Sequence, residues 1–530
     1  MLYTDPSSKS KQLCTPEHAH PSEHFLESLS FSRESDLLKM ATNKPNDEKA
    51  EVYQHEVLSP TQTRDSIDDA KADVEGQSRM DYSGAHEKTD PKEIALVRKL
   101  DWYIMPMLWL MYWLNYLDRN AIALARLDNL EEELNLQGSQ YQTCVSILFV
   151  GYILGQVPSN MLITRLKPSY YMSFCMALWA IVSALTALSK DFTGLLLTRF
   201  FLGIVEAPYY PGALYILGIF YTRKEIATRI SILYTGNILA TAFAGLIAAG
   251  IFEMGGLAGI SGWKWLFILQ GAATFVVAVA SVFVLPDDPL NTRWLNEEER
   301  QLANARVVSD QVGAKGGQST FAGLKEAARD PKLWLFAFMQ HMHLAANGFK
   351  NFFPTAVETL GFSQLITLTL VCPPYLIAGA ISIAWSYSSG KYNERTWHIT
   401  IAKSVAIFGF VLCAATLNTG ARYFGMVVFA IGTYAVNSII LGWVASTCGQ
   451  TKERKASSLA IVNTIANASF VWTPYLWPDT DEPRYAIAMG SSAGFSILCA
   501  GGAWVMKFWL MRINRKIRQS ENETVLAFAY

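Results

Sequence analysis

Apolar residues in this chain run in long uninterrupted stretches, with neither the alternation of a strand nor the one-sided stripe of a surface helix. From Asp101 onward these stretches recur twelve times, at about 102–124, 140–164, 170–189, 194–220, 229–252, 264–285, 332–356, 365–388, 397–417, 422–446, 457–478 and 485–509. Each is long enough to cross ~30 Å of hydrocarbon as a helix. A barrel strand would need only about ten residues of alternating character. The pattern predicts an all-α membrane protein with twelve transmembrane helices. They fall six and six around one polar stretch, 286–331, so the expected order is a six-helix half (96–285), a cytosolic linker (286–331) and a second six-helix half (332–511). Within the linker, Asn296 followed three residues later by Glu299 has the spacing of a capping box and predicts a short surface helix, which Gly313, Gly316 and Gly317 end.

Composition sharpens this picture. The 530 residues are 51 % hydrophobic and only 17 % charged, against about 25 % charged in an average soluble domain. The net charge of −1 hides a split: residues 1–90 hold 10 basic against 18 acidic residues and no Trp, leaving 34 basic against 27 acidic for the rest. Residues 1–95 therefore read as a disordered cytosolic tail, too poor in apolar residues to offset the entropy of ordering, and 512–530 as a second cytosolic tail. Without a basic start, an apolar run and a small-residue cleavage site, the N-terminus reads as cytoplasmic. No clustered basic face points to nucleic acid. Seven Cys, mostly inside apolar runs, do not make a disulfide scaffold.

Loop charge sets the expected orientation. With the N-terminus inside, the short cytoplasmic loops carry ten Lys and Arg, among them Arg165, Lys167, Arg395 and Arg454, and the outer loops four: Arg126, Lys190, Arg422 and Arg484. That asymmetry puts both termini in the cytoplasm. A plasma-membrane location is the expectation that goes with it.

Ionisable groups at membrane depth are costly and are functional candidates by default. Arg199 and Glu206 stand seven residues apart, nearly two turns, and so share one face of the fourth span. Counting the rise along the first span places Arg119 at a height similar to Arg199. Two guanidiniums with one acid below them suit an anionic substrate, since Arg grips a carboxylate with a rigid fork. Arg119 and Arg199 are thus candidate substrate-binding residues, and Glu206 the candidate proton carrier. Static interhelix ion pairing is the competing reading of the same residues. Asp118 reads as a local partner or solvated neighbour of Arg119. His343 and Asn347 of the seventh span join the candidate substrate site. His341 and His343, two apart, point in opposite directions and cannot share a metal ion, and no metal site is expected. Lys403 and Lys507 stand near a span end and are expected to snorkel. Lys350 is set aside as lying near the outer end. Gly151 and Gly155 form a GxxxG pair suited to close helix contact.

No phosphate-cradling loop followed by Lys-Ser/Thr occurs, nor an HExxH or Gly-x-Ser-x-Gly motif. An enzyme, an ATP-driven pump and a cofactor are not expected. The expected partners are a small organic anion, protons and membrane lipid, with no nucleic acid. Because one chain holds both halves, a monomer is expected.

Three segments carry a family resemblance: Leu117-Asp118-Arg119-Asn120, the run Arg199 to Pro208 with Gly203, Glu206, Pro211 and Gly212, and Phe353-Pro354 followed by Leu360-Gly361-Phe362-Ser363. With Lys391 to His398 and Asp481 to Tyr485, they resemble the anion:cation symporter branch of the major facilitator superfamily, and within it the fungal allantoate permease family, over about residues 95–510. The resemblance implies a rocker-switch symporter of carboxylates such as vitamins or nitrogen sources. It implies substrate binding and proton coupling for the positions of Arg119, Arg199 and Glu206. The family's acid-and-arginine latch between spans two and three is altered here, where Asn160 replaces the acid. Its second-half copy keeps Glu394 and Arg395, which makes these two the candidate cytoplasmic gate. Proton-coupled symport is the leading functional reading. Efflux of a metabolite or toxic anion, and a non-transporting nutrient sensor, stand beside it.

Overall fold

A computed structural model describes residues 90–163, 165–310, 320–448 and 452–520. The N-terminal tail, the linker glycines and the last ten residues lie outside these ranges. The described residues are helical throughout, with no strand. Among them, eight helices are long and apolar enough to cross a membrane. The other four expected spans, the first, second, seventh and eleventh, also form helices, over Pro91–Ala125, Gln140–Ile163, Pro331–Ala346 with Phe353–Glu358, and Lys452–Asn467 with Ser469–Trp472. Arg119 falls on the first of these, His343 on the seventh and Asn463 on the eleventh, and such residues lower a segment's hydropathy.

Helix ends follow local chemistry rather than the edge of the apolar pattern. The first span starts at Pro91, eleven residues before its apolar run, because Asp90 caps it through the Lys92 N–H at 2.9 Å and Pro91 needs no donor there. The fifth begins at Arg223 on a capping box of Thr222 and Glu225. The predicted linker box forms as well: Glu299 N–H donates to Asn296 Oδ1 at 2.8 Å, and Asn296 N–H to Glu299 Oε2 at 2.9 Å. The helix it starts, Glu297–Asp310, is clamped to the bundle rather than lying loose on its surface. Buried Arg306 bonds Glu225 at 2.6 Å and Glu93 at 2.8 Å, and Lys99 bonds Glu299 at 2.7 Å. A second linker helix, Thr320–Arg329, packs on the eleventh span, where Arg454 bonds Glu326 at 2.7 Å and Asp330 at 2.6 Å.

Within the first half the second span packs on the fourth, the third on the sixth and the first on the fifth and sixth. In the other half the ninth packs on the tenth and twelfth, and the seventh on the eleventh and twelfth. Two seams join the halves, fifth span to eighth and second to eleventh. Several spans break at one level: the fourth between Glu206 and Tyr209 at Pro208, the seventh at Asn347, the tenth between Tyr434 and Asn437, and the eleventh between Asn467 and Ser469. Irregular backbone at membrane depth is tolerated where it lines a cavity.

The second and fourth spans meet backbone to backbone. A Cβ on Gly203 would run into the Leu148 carbonyl oxygen, and one on Gly151 into that of Phe200. The Gly151–Gly155 pair thus does what its spacing suggests. We expect Gly203→Ala to lower the melting temperature of the detergent-purified protein by several degrees, through an overpacking cost of about 1–3 kcal/mol. Gly218→Ala, with open space around it, should be neutral or slightly stabilising through helix propensity. Equal melting curves for the two variants would contradict this packing.

Candidate functional site

A cavity of about 120 Å³ sits at the level of the helix breaks, between the two halves. The first half contributes Arg119, Glu206 and a cluster of tyrosines that includes Tyr116 and Tyr152; the second contributes Asn347, Lys350, Asn437, Asn463, Asn467 and Phe470. Arg119 donates from Nη2 to Glu206 Oε2 at 2.7 Å and from Nε to the same oxygen at 3.1 Å. Its guanidinium carbon is 4.9 Å from the Tyr152 ring centroid and 5.3 Å from that of Tyr116. Glu206 ends the helix Phe192–Glu206, just before Pro208 breaks the span, so its carboxylate emerges at the cavity wall. Its second oxygen, Oε1, is buried without a hydrogen-bond partner.

The sequence-level candidates separate in space. Arg119 and Glu206 meet directly at 2.7 Å, although counting the rise along the spans puts Arg119 level with Arg199 and above Glu206. Arg199 lies behind them: 2 % exposed, it donates from Nη2 to the Arg119 carbonyl at 3.3 Å and is not among the cavity-lining residues. Asp118 is neither solvated nor bonded to Arg119. One position along a helix turns it ~100° away, into the interior of its own half, where the Ser183 and Thr274 hydroxyls each donate to it at 3.2 Å.

On the seventh span Asn347 lines the cavity, while His343 is fully buried behind it, its Nε2 3.3 Å from Asn347 Nδ2. His341 packs elsewhere, with Nδ1 2.8 Å from the Ile465 carbonyl and its ring stacked on Trp472.

Two expectations need correction. Lys403 does not snorkel: it is 0 % exposed and its Nζ has no hydrogen-bond partner, because it faces the interior of its half rather than lipid. Lys350 is no bystander at the span end. The seventh span continues past Asn347 as a tight 3-10 turn, Asn347–Asn351, which swings Lys350 onto the cavity wall with Nζ 4.2 Å from the Phe470 ring centroid. The flanking Asn-Gly of Asn347-Gly348 was the sequence signal for that break. Tyr112, Asn115, Tyr234, Asn237, Tyr434 and Asn437 also line the cavity.

The bundle end away from the termini is latched across the halves. Arg126 bonds Asp479 of the other half at 2.6 Å and Glu131 of its own at 3.2 Å, with Tyr141 beneath its guanidinium at 4.6 Å. Gln142 donates to the Trp477 carbonyl at 3.1 Å, and Gln364 donates to the Leu127 carbonyl at 2.8 Å. At the termini end, Glu394 caps the ninth span through the Trp397 N–H at 2.9 Å and pairs with Lys507 at 3.4 Å, while Arg395 donates to Ser389 at 2.9 Å. All these partners belong to the second half. The gate candidates are thus held locally, and the cross-half latch recorded here sits at the opposite end.

Residues 108–474 match the family described as Major Facilitator Superfamily. The chain belongs to the major facilitator superfamily. An uncharacterized transporter of Schizosaccharomyces pombe is 31 % identical over 81 % of this chain and 88 % of its own length. The MFS-type transporter cnsO of Penicillium expansum is 30 % identical, over 82 % and 86 %. The major facilitator-type transporter hxnP of Emericella nidulans is 28 % identical, over 82 % and 89 %. Among solved structures, a bacterial homologue of the human lysosomal transporter Spinster, inward-facing and occupied, superposes with a TM-score of 0.62 at 17 % identity, covering 80 % of this chain and 99 % of that one. The xylose transporter XylE of E. coli, partially occluded and inward-open, gives 0.62 at 13 %, covering 77 % and 98 %. These likenesses establish the fold. The chain is a multi-pass membrane transporter of the major facilitator type, not an enzyme.

The latch makes a testable element of the transporter. Burial pushes the carboxyls of Asp128 and Glu131 at this end above their ordinary range. If their pKa rises as the end closes, they take up protons on closure, so mild acid on that side favours the closed state. Spin labels at Gln137 and Thr480 should therefore shift toward short distances as the pH falls from neutral to about 5, still above the range in which ordinary carboxylates protonate. Asp479→Asn should shift them toward long ones. Asp479 is 49 % exposed, so its pair is worth about 1 kcal/mol at most, or up to about fivefold in population. Unmoved distance distributions in both experiments would count against the latch.

Proposed function

We propose that this transporter is a proton-coupled symporter of a small organic anion, of the anion:cation symporter kind, working by alternating access. The Arg119–Glu206 pair on the cavity wall carries the reading. While Glu206 is ionised it occupies Arg119, and the pair is neutral. A proton on Glu206 removes the counter-charge, and the guanidinium is then free to grip a carboxylate from the cavity. Proton and anion thereby favour each other's binding, and that mutual preference is what symport requires. The buried Arg199 behind them adds a fixed positive charge that keeps this corner attractive to anions whichever form Glu206 takes.

The loop-charge asymmetry supports a topology with both termini in the cytoplasm. In that orientation the latched end faces outward, and the state described is one that presents its cavity to the cytoplasm. Uptake across the plasma membrane by a monomer, with Glu394 and Arg395 closing the cytoplasmic end when the transporter turns outward, completes the proposal.

Uptake of radiolabelled substrate into cells at two external pH values, in competition with a panel of nicotinate, pantothenate, allantoate, phthalate and tartrate, tests it. At least one carboxylate should compete, and uptake should rise as the external pH falls. Glu206→Gln should flatten that pH dependence while leaving exchange of substrate across the membrane. Arg119→Lys should cut uptake tenfold or more at normal surface abundance, because an ammonium cannot reproduce the bidentate fork. A steep pH profile surviving in Glu206→Gln would remove the coupling role.

A further inference from the structure

The cavity wall carries three charged groups, Arg119, Glu206 and Lys350. Arg119 and Glu206 neutralise one another at 2.7 Å. Lys350 has no recorded acid partner among the described residues; its ammonium rests against rings, 4.2 Å from the centroid of Phe470 and 6.0 Å from that of Phe149. The Arg119 guanidinium carbon lies 6.0 Å from the same Phe149 ring. Two cations from opposite halves thus share one aromatic side chain. Like charges held together in a largely desolvated space repel, and a buried ammonium faced only by rings lacks the anion that would compensate its lost hydration.

We propose that Lys350 is the cation that binds the substrate's negative charge, and that the site takes a monocarboxylate of about one aromatic ring in size. The count of charges favours a monoanion at first contact: while Glu206 still holds Arg119, Lys350 is the single positive charge in the wall left to be matched, and Arg119 joins it only once Glu206 takes its proton. The room limits the size: the cavity measures about 120 Å³, less than an apolar cavity of about 150 Å³ that holds benzene, so nothing larger than one small ring is accommodated without some opening of the site. The walls are rich in aromatic rings, with Tyr112, Tyr116, Tyr152, Tyr210 and Phe470 all bordering the cavity. A ring lying there can present its carboxylate to Lys350 while its other edge meets the amides of Asn347 and Asn463. An anion so held touches the second half through Lys350 and the first through Arg119, so its arrival draws the halves together around the site.

This rests on the anion reading above and is tested apart from it. Benzoate and its uncharged twin benzamide are the probes, with binding to the purified full-length transporter measured by calorimetry and uptake measured in cells. The wild type should bind benzoate at least tenfold more tightly than benzamide, and more tightly than the dianion phthalate. Lys350→Gln should weaken benzoate tenfold or more, leave benzamide within twofold, and raise KM for uptake while the response to external pH persists. Lys350→Met, which keeps the stem packed on Phe470, makes the same test if the Gln variant fails to accumulate. Lys350→Arg should restore the preference for the anion. Wild-type benzoate affinity in Lys350→Gln or Lys350→Met, with pH-dependent uptake intact, overturns the assignment of Lys350 and leaves symport standing. Lys350-dependent benzoate binding without any pH dependence does the reverse. Tighter binding of phthalate than of benzoate overturns the monoanion.

Discussion

A carboxylate facing a guanidinium across two helices, at the depth where both helices are surrounded by apolar neighbours, is an expensive thing to build. Removing each ion from water costs several kcal/mol after relaxation, and only close pairing recovers it. Glu206 and Arg119 meet at 2.7 Å with the carboxylate fully buried. Much of the first half is arranged so that they can. Glu206 reaches the wall because the fourth span stops being a regular helix immediately beyond it, at Pro208. Arg119 reaches it because the neighbouring Asp118 is turned into the half's interior and satisfied there by Ser183 and Thr274. At the depth of the cavity the first and fourth spans hold two acids and two arginines, Asp118, Glu206, Arg119 and Arg199, yet only one of each borders it. The other arginine, Arg199, holds the Arg119 backbone from behind.

Register also depends on how closely helices can approach. Gly203 sits four residues after Arg199 and three before Glu206, on the stretch of the fourth span that lies backbone to backbone against the second. Any side chain there would push the fourth span outward and carry its charged residues with it. Stability and geometry of the site are therefore set by the same contact, and a packing glycine becomes a condition for an ion pair a turn away.

The spans were legible because lipid imposes a coarse rule: a crossing helix must be long and apolar, and hydropathy alone finds it. Helix ends were less so, since Asp90 and Thr222 extend or start helices through capping bonds outside the apolar runs; only the linker helix, with its Asn296–Glu299 box, announced its start by spacing. That Arg119 stands close in height to Arg199 was readable from periodicity, because both lie on unbroken helical segments where residue counting converts into height; that the Arg119 side chain reaches past Arg199 to Glu206 was not. The same counting failed for Lys350 and Lys403. Lys350 follows a break at Asn347, after which the 3-10 turn no longer carries side chains around at 100° per residue. Lys403 is near a span end in number, but its face is turned to the interior of its half, and depth along an axis says nothing about direction around it. Arg199, correctly placed in height, stands one layer too deep for the same reason.

The two halves bring different things to the cavity. The first brings a charge pair that can be switched by one proton, and the second brings amides and one amine whose charge no acid in the wall opposes. A pair that neutralises itself can hold its half in one shape without help, whereas Lys350 requires something from outside the protein. In the proposed cycle an anion supplies the missing charge and, in doing so, bridges a cation on each side. The latch at the other end uses the same chemistry in a permanent form, with Arg126 of one half gripping Asp479 of the other. Under that proposal, alternating access becomes in part a competition between two cross-half ionic contacts, one built into the protein and one completed only by its cargo. Such a competition has a direction: the built-in contact holds the distal end shut while the cavity is empty, and only an anion able to reach both cations can offer the opposite end a contact of the same kind.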